Sequence, residues 1–96
     1  MILNWTELAQ KDKNGYVEYI AQDNILAAIR VGDEIESQVE MLLQHPKLGR
    51  AGRVKGTREL VITGTPYIVG YRIRGDYIDI LRVLHGAQDW KKQFIK

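Results

Sequence analysis

The feature that most constrains this chain is a change of hydrophobic period near its middle. Before His45-Pro46, apolar residues recur every three to four positions; after "PKLGRAGR" they alternate every second position. A chain that switches period once places its helices before its strands. Helices and strands segregated in sequence point to an α+β domain, with the helices gathered on one face of an antiparallel sheet.

Upstream of the switch, "ILNW" reads as a short strand and Thr6-Glu7 as a helix start. Leu8, Asp12, Tyr16 and Tyr19/Ile20 then follow helical spacing, and Asn14-Gly15 marks a place for a kink, since Gly inside a helix costs about 1 kcal/mol relative to Ala. "QDN" at 22–24 supplies a stop and a fresh N-cap. The second helix runs from Asn24 to about Gln44 on Ile25, Ala28/Ile29, Gly32, Ile35, Val39 and Leu42/Leu43, with acids between them. Gly32 on that apolar face allows the first helix to approach closely. His45-Pro46 ends the segment, because the residue before proline is pushed out of helical geometry. So short a connection predicts an antiparallel helical hairpin.

Downstream, "GTRELVI" (56–62), "YIVGYRI" (67–73) and "YIDILRVLH" (77–85) are strand-like, with turns at 63–66 and 74–76. The Arg74-Gly75-Asp76 triplet is read as a hairpin turn rather than as an adhesion motif. A two-residue turn at Gly75-Asp76 would set Arg72 opposite Asp79; a three-residue loop would lose that pair. Arg58 and Glu59 must point to opposite faces of the sheet. The predicted order is strand, helical hairpin, three-stranded meander and a short tail, "DWKKQFIK", in one domain spanning 1–96. The helices would cover one sheet face, leaving the arginines on the other or at its edge.

Charge follows the same division. Residues 1–46 carry three basic against eight acidic side chains; residues 47–96 carry eleven basic against four acidic. A basic half of this size suits nucleic acid or an acidic protein partner, and its arginines favour planar, bidentate ligands. Without cysteine there is neither a disulfide framework nor a thiolate metal site, and two histidines, His45 and His85, are too few for a zinc site. No metal or cofactor is expected. No apolar run is long enough to span a bilayer and "MILNWTELAQ" lacks a basic leader, so the expected location is cytoplasmic, away from membranes.

The ordered set "YIAQDN", "AAIRVGDEIESQVEMLLQHPKLG", "RVKGTRELVI", "PYIVGYRI" and "IDILRVLHGAQDW" resembles the RelE/ParE superfamily of type II toxin–antitoxin toxins over nearly the whole chain. The resemblance implies a growth-inhibiting toxin that forms an oligomeric complex with a cognate antitoxin. It also implies one of two mechanisms: RelE-type members cleave mRNA in the ribosomal A site, whereas ParE-type members poison DNA gyrase. Two departures favour the ParE branch. "PYIVGYRI" begins Pro66-Tyr67-Ile68 where the RelE branch would place an arginine, and the last strand runs into "LHGAQDW" rather than a basic cluster.

For RNA cleavage the candidates are His85 as acid or base, Arg58, Arg72 and Arg82 as the phosphate cradle, and Tyr71 as a stacking or proton-donating group. For partner binding they are Arg58, Arg82, His85, Trp90, Lys91 and Lys92. Trp90, beyond the last strand and beside two lysines, is either a tether onto the sheet or a partner contact. Trp5, Tyr67 and Tyr71 are assigned to the core. A basic nucleic-acid-binding module without catalysis is the third reading, though the second helix is too acidic outside to act as a recognition helix.

Overall fold

A computed structural model describes residues 1–94, so the last two positions of the "DWKKQFIK" tail lie outside the described residues. The elements are β1 (Ile2–Trp5), α1 (Glu7–Ala21), α2 (Ile25–Glu40), a 3-10 turn (Met41–Leu43), β2 (Arg50–Ala51), β3 (Arg58–Val61), β4 (Tyr67–Arg74), β5 (Tyr77–His85) and α3 (Trp90–Phe94). They form the predicted α+β arrangement, with α1 and α2 on one face of the sheet.

Thr6 starts α1 in two ways: its hydroxyl accepts the Ala9 amide at 3.2 Å and donates to the Ile80 carbonyl at 2.8 Å. The cap therefore also fastens the helix to β5. No break occurs at Asn14-Gly15: α1 is continuous through Gly15, which lies in open solvent. The inward face keeps Tyr16 and Ile20 as predicted but departs from the prediction in the first half of the helix. Leu8 and Tyr19 are exposed, whereas Ala9, Lys13, Tyr16 and Ile20 meet the core. Apolar spacing misled here because Lys13 behaves as a long hydrocarbon stem, its ammonium paired with Glu36 and lying 5.1 Å from the Trp5 ring centroid.

α2 is capped by Asn24, whose side chain accepts the Ala27 amide at 3.0 Å. It buries Ala28, Val31, Ile35 and Val39, while Ile25 and Ile29 face solvent. A Cβ on Gly32 would sit 3.4 Å from Val17, so the close helix approach inferred for this glycine is present.

The five strands lie in the order β1-β5-β4-β3-β2. The predicted meander is β3-β4-β5, antiparallel throughout, and β1 joins it parallel to β5. β2, two residues within "PKLGRAGR", was not anticipated, since so short an edge strand carries no alternation to read. The hairpin register is the two-residue one: Arg72 faces Asp79, and Gly75 takes the first turn position at φ 58°. A bulge follows, because Gly70 pairs with Arg82 but Tyr71 with Ile80, leaving Leu81 unmatched.

The helix-side core gathers Leu60, Val69, Tyr71, Ile78, Ile80 and Val83 beneath α2. On the far side Ile68, Leu84 and Trp90 form a smaller cluster with Phe94. The tail is thus a short helix laid across the second sheet face.

Candidate functional site on the arginine-bearing sheet

Two buried carboxylates organise the far face. Asp79, 2 % exposed, accepts Arg72 Nε at 2.9 Å, Arg74 Nε and Nη2 at 2.7 and 3.0 Å, and the Asn4 amide at 2.9 Å. The Arg74 guanidinium foremost, with Asn4 and Arg72 behind it, holds this carboxyl well below the usual carboxylate range. Glu59 is built the same way. Burial pushes its carboxyl up, but the Arg53 side chain and main-chain amide, with Arg50, outweigh that and leave it below its ordinary value. Solvent therefore meets guanidinium groups on this face, while the acids that orient them lie beneath.

Arg53 also covers the tail. Its guanidinium carbon lies 4.4 Å from the Trp90 ring centroid, and its Nη1 donates to the Gly86 carbonyl at 3.1 Å. Trp90 is 2 % exposed and stacks on Phe94. Of its two sequence readings, the tether is the one realised in this conformation. Gly70 makes the tether possible, since a Cβ there would sit 2.7 Å from Phe94 and 3.1 Å from Trp90. Lys91 and Lys92 extend from α3 into solvent.

Arg82 is not on an open surface. It is wedged between α1 and α3, its guanidinium meeting Asp12 at 2.8 and 3.1 Å and donating to the Gln93 carbonyl at 2.6 Å. Asp12 also accepts the Val83 amide at 2.9 Å, closing the part of β5 that β1 does not cover. Arg82 thus ties both layers to the sheet, and its donors are largely committed.

Tyr71 is fully buried on the helix side, its hydroxyl donating to Pro46 O at 2.7 Å and accepting Gly49 N–H at 2.9 Å. Burial raises its pKa, against opposing contributions from the Gly49 contact and from Arg58. Arg58, its partner across the strands, donates to the Gly49 carbonyl at 2.8 Å. Tyr71 and Arg58 sit together where β3 begins, midway along β4.

His85 ends β5, opposite Tyr67, four residues or about 13 Å along β4 from Tyr71. It is exposed. Its Nδ1 accepts the Ala87 amide at 3.2 Å, which leaves the proton of the neutral ring on Nε2, and the ring meets Tyr67 edge-on at 6.3 Å. Tyr67 stacks on Tyr16 at 4.4 Å. Gln88 completes the group by accepting both the His85 amide and the Tyr16 hydroxyl, at 2.7 and 3.2 Å. Desolvation raises the pKa of both tyrosines. Sequence reasoning missed this group because Tyr16 reaches it only through the fold, whereas Gln88 meets His85 in the local turn that ends β5.

The nuclease candidates are thus distributed over four places. Arg72 is on the far face with Asp79, Arg58 and Tyr71 are midway along β4 on the helix side, His85 is at the end of β5, and Arg82 is interior. The far face supplies oriented, half-exposed guanidinium groups suited to binding anionic surfaces.

A helical hairpin is packed on one side of a β1-β5-β4-β3-β2 sheet, with an arginine-clad opposite face and a short C-terminal helix. Residues 3–90 match the family model described as the ParE toxin of type II toxin-antitoxin system, parDE. The chain belongs to that family. It is 42% identical over 88 residues to the putative toxin Y4kP of Sinorhizobium fredii, covering 92% of this chain and 91% of that protein. It is 31% identical over 84 residues to the toxin RelE2 of Caulobacter vibrioides, covering 88% and 93%. A solved structure described as the chromosomal ParDE TA system from P. aeruginosa superposes with a TM-score of 0.83 at 28% identity, covering 88% of this chain and 95% of that one.

Proposed function

We propose that this toxin inhibits growth from within the cytoplasm by poisoning DNA gyrase, and that a cognate antitoxin binds and neutralises it. The observation that carries the reading is the separation of the candidate acid–base and phosphate-binding groups. Cleavage at a ribose 2′-OH needs a base, a proton donor and cations converging on one phosphate. Here Tyr71 has both hydroxyl contacts filled by main chain, Arg82 is closed on Asp12, and His85 lies opposite Tyr67, four residues or about 13 Å along β4 from Tyr71, the cross-strand partner of Arg58. A toxin that works by binding does not need that convergence. The ParDE pairing named for the P. aeruginosa structure supports an antitoxin partner.

The ribosome-dependent mRNA interferase is the second reading, favoured by the two Caulobacter vibrioides relatives named RelE2 and RelE1 and by the exposure of His85. Purified toxin in two assays separates them. Gyrase poisoning predicts lost supercoiling and accumulated cleavage complexes, with mRNA on programmed ribosomes left intact and His85→Ala still active against gyrase. Cutting in the ribosomal A site that disappears in His85→Ala would reverse the assignment.

A further inference from the structure

The far face of the sheet carries more positive charge than its buried acids neutralise. Arg50 and Arg53 share Glu59, and Arg72 and Arg74 share Asp79, so each pair turns one uncompensated charge towards solvent. Between α3 and the loop after β2 lies a hollow of ≈ 340 Å³, lined by Arg53, Val54, Lys55, Lys91 and Phe94, with no Asp or Glu in its wall. Lys55 and Lys91 are exposed, and among the described residues neither meets an acid. The other acids of residues 47–96 are Asp76, in the β4–β5 turn, and Asp89, which accepts the Lys92 amide at 3.3 Å.

The sheet fixes the spacing of these charges. Glu59 lies opposite Gly70, whereas Asp79 lies opposite Arg72, two residues along β4 and two strands across. The two arginine pairs therefore stand about 12 Å apart. That is close to the ~12 Å between the phosphate strands that flank the major groove of B-DNA. The guanidinium groups are also oriented in advance, because each carboxylate holds one edge of them. Arg72 gives Asp79 only its Nε, and Arg50 gives Glu59 only Nη2, so both keep donors for a further anion.

We propose that this face binds duplex DNA through its phosphates, with Arg50, Arg72, Arg74, Lys55 and Lys91 as the contacts. Charge selects for a polyanion. Fixed spacing selects for a rigid duplex, and the rings on this face offer a single strand little to stack on. Tyr77 already lies under Arg74 at 4.8 Å, and Trp90 packs against Arg53 and Phe94. Binding is independent of base sequence, because α1 and α2 lie on the opposite face and α3, of five residues, is pinned by its own aromatic rings. The role of this contact in toxicity rests on the gyrase reading: a toxin seated on gyrase would also grip the DNA that the enzyme holds, and so keep the cleaved complex together.

The test measures fluorescence anisotropy of a labelled DNA duplex titrated with the full chain, without gyrase, over a range of salt concentrations. Binding should saturate, and the logarithm of affinity should fall against the logarithm of salt with a slope of roughly −4. Lys55→Gln with Lys91→Gln should weaken it about tenfold and flatten the slope by about two, while Lys11→Gln on α1 should change neither. Arg72→Gln, which leaves Asp79 its Arg74 and Asn4 contacts, should flatten the slope by about one. No saturable binding, a slope unchanged in these variants, or tighter binding of a single strand of DNA or RNA would each overturn the proposal. The double lysine variant should also need about tenfold more toxin to accumulate gyrase cleavage complexes; an unchanged requirement would overturn the role in poisoning. Absence of cleavage complexes with the unaltered toxin would count against the gyrase reading alone, since the anisotropy is measured without gyrase.

Discussion

Asp79 and Glu59 each hold two arginines while almost wholly shielded from water, and at this scale the protein is sensitive to acid. A carboxyl held below its ordinary pKa stabilises the fold fully above the unfolded value of about 4, and that contribution is lost as pH falls towards the folded value. The urea midpoint should therefore fall between about pH 5 and pH 3. Asp79→Asn should start lower at neutral pH, because Arg72 and Arg74 lose their counter-charge, and should then fall less steeply on acidification. Tyr71→Phe tests a different contact. It strands the Pro46 carbonyl and the Gly49 amide, costing about 1–3 kcal/mol in urea denaturation, and it should speed exchange of the Gly49 amide. From sequence, the two-residue hairpin could be named as the condition for the Arg72–Asp79 pair. Arg74 and Asn4 could not be added to it, since Asn4 reaches Asp79 across seventy-five positions of chain.

α3 is the element most dependent on a single position. Its two aromatic rings occupy the space where a Cβ of Gly70 would stand, so Gly70→Ala should undock it. In a Trp5→Phe background, where Trp90 is the sole tryptophan, the emission should shift to the red while far-UV dichroism of the rest persists. α1 shows why elements are less legible than residue patterns suggest. Its start was readable from Thr6, but the first half of its inward face was not, because burial of Lys13 rather than Leu8 depends on Trp5 and Glu36 lying above it. α2, with a cleaner apolar stripe, buries Ala28, Ile35 and Val39 as its spacing predicts. β2 was invisible because two residues hold no period, and what makes it a strand is β3 beside it.

At the scale of the molecule the two charged halves of the chain become two layers, acidic helices over a basic sheet. Helices and strands share the larger core, whereas α3 is attached by Trp90, Phe94, the Arg53 guanidinium over the Trp90 ring and the Arg82 bond to the Gln93 carbonyl. Native-state hydrogen exchange should therefore show α3 amides opening first, with α2, β4 and β5 exchanging together at the free energy of global unfolding. By itself the sequence determined the α+β class, the helical hairpin, the meander and the sign of the sheet's charge, while the toxin family was legible only as a resemblance to known toxins. The former follow from periodicity, breaker residues and composition, which are local along the chain. Tertiary structure alone decided which arginines are spent and which stay available: Arg82 is consumed by Asp12, seventy positions away, while Arg58 keeps its charge against main-chain carbonyls. The same holds for His85, whose distance from Arg58 is set by strand register. A side chain's chemistry is fixed by its type, but its role depends on which distant partners the packed sheet brings within hydrogen-bond reach.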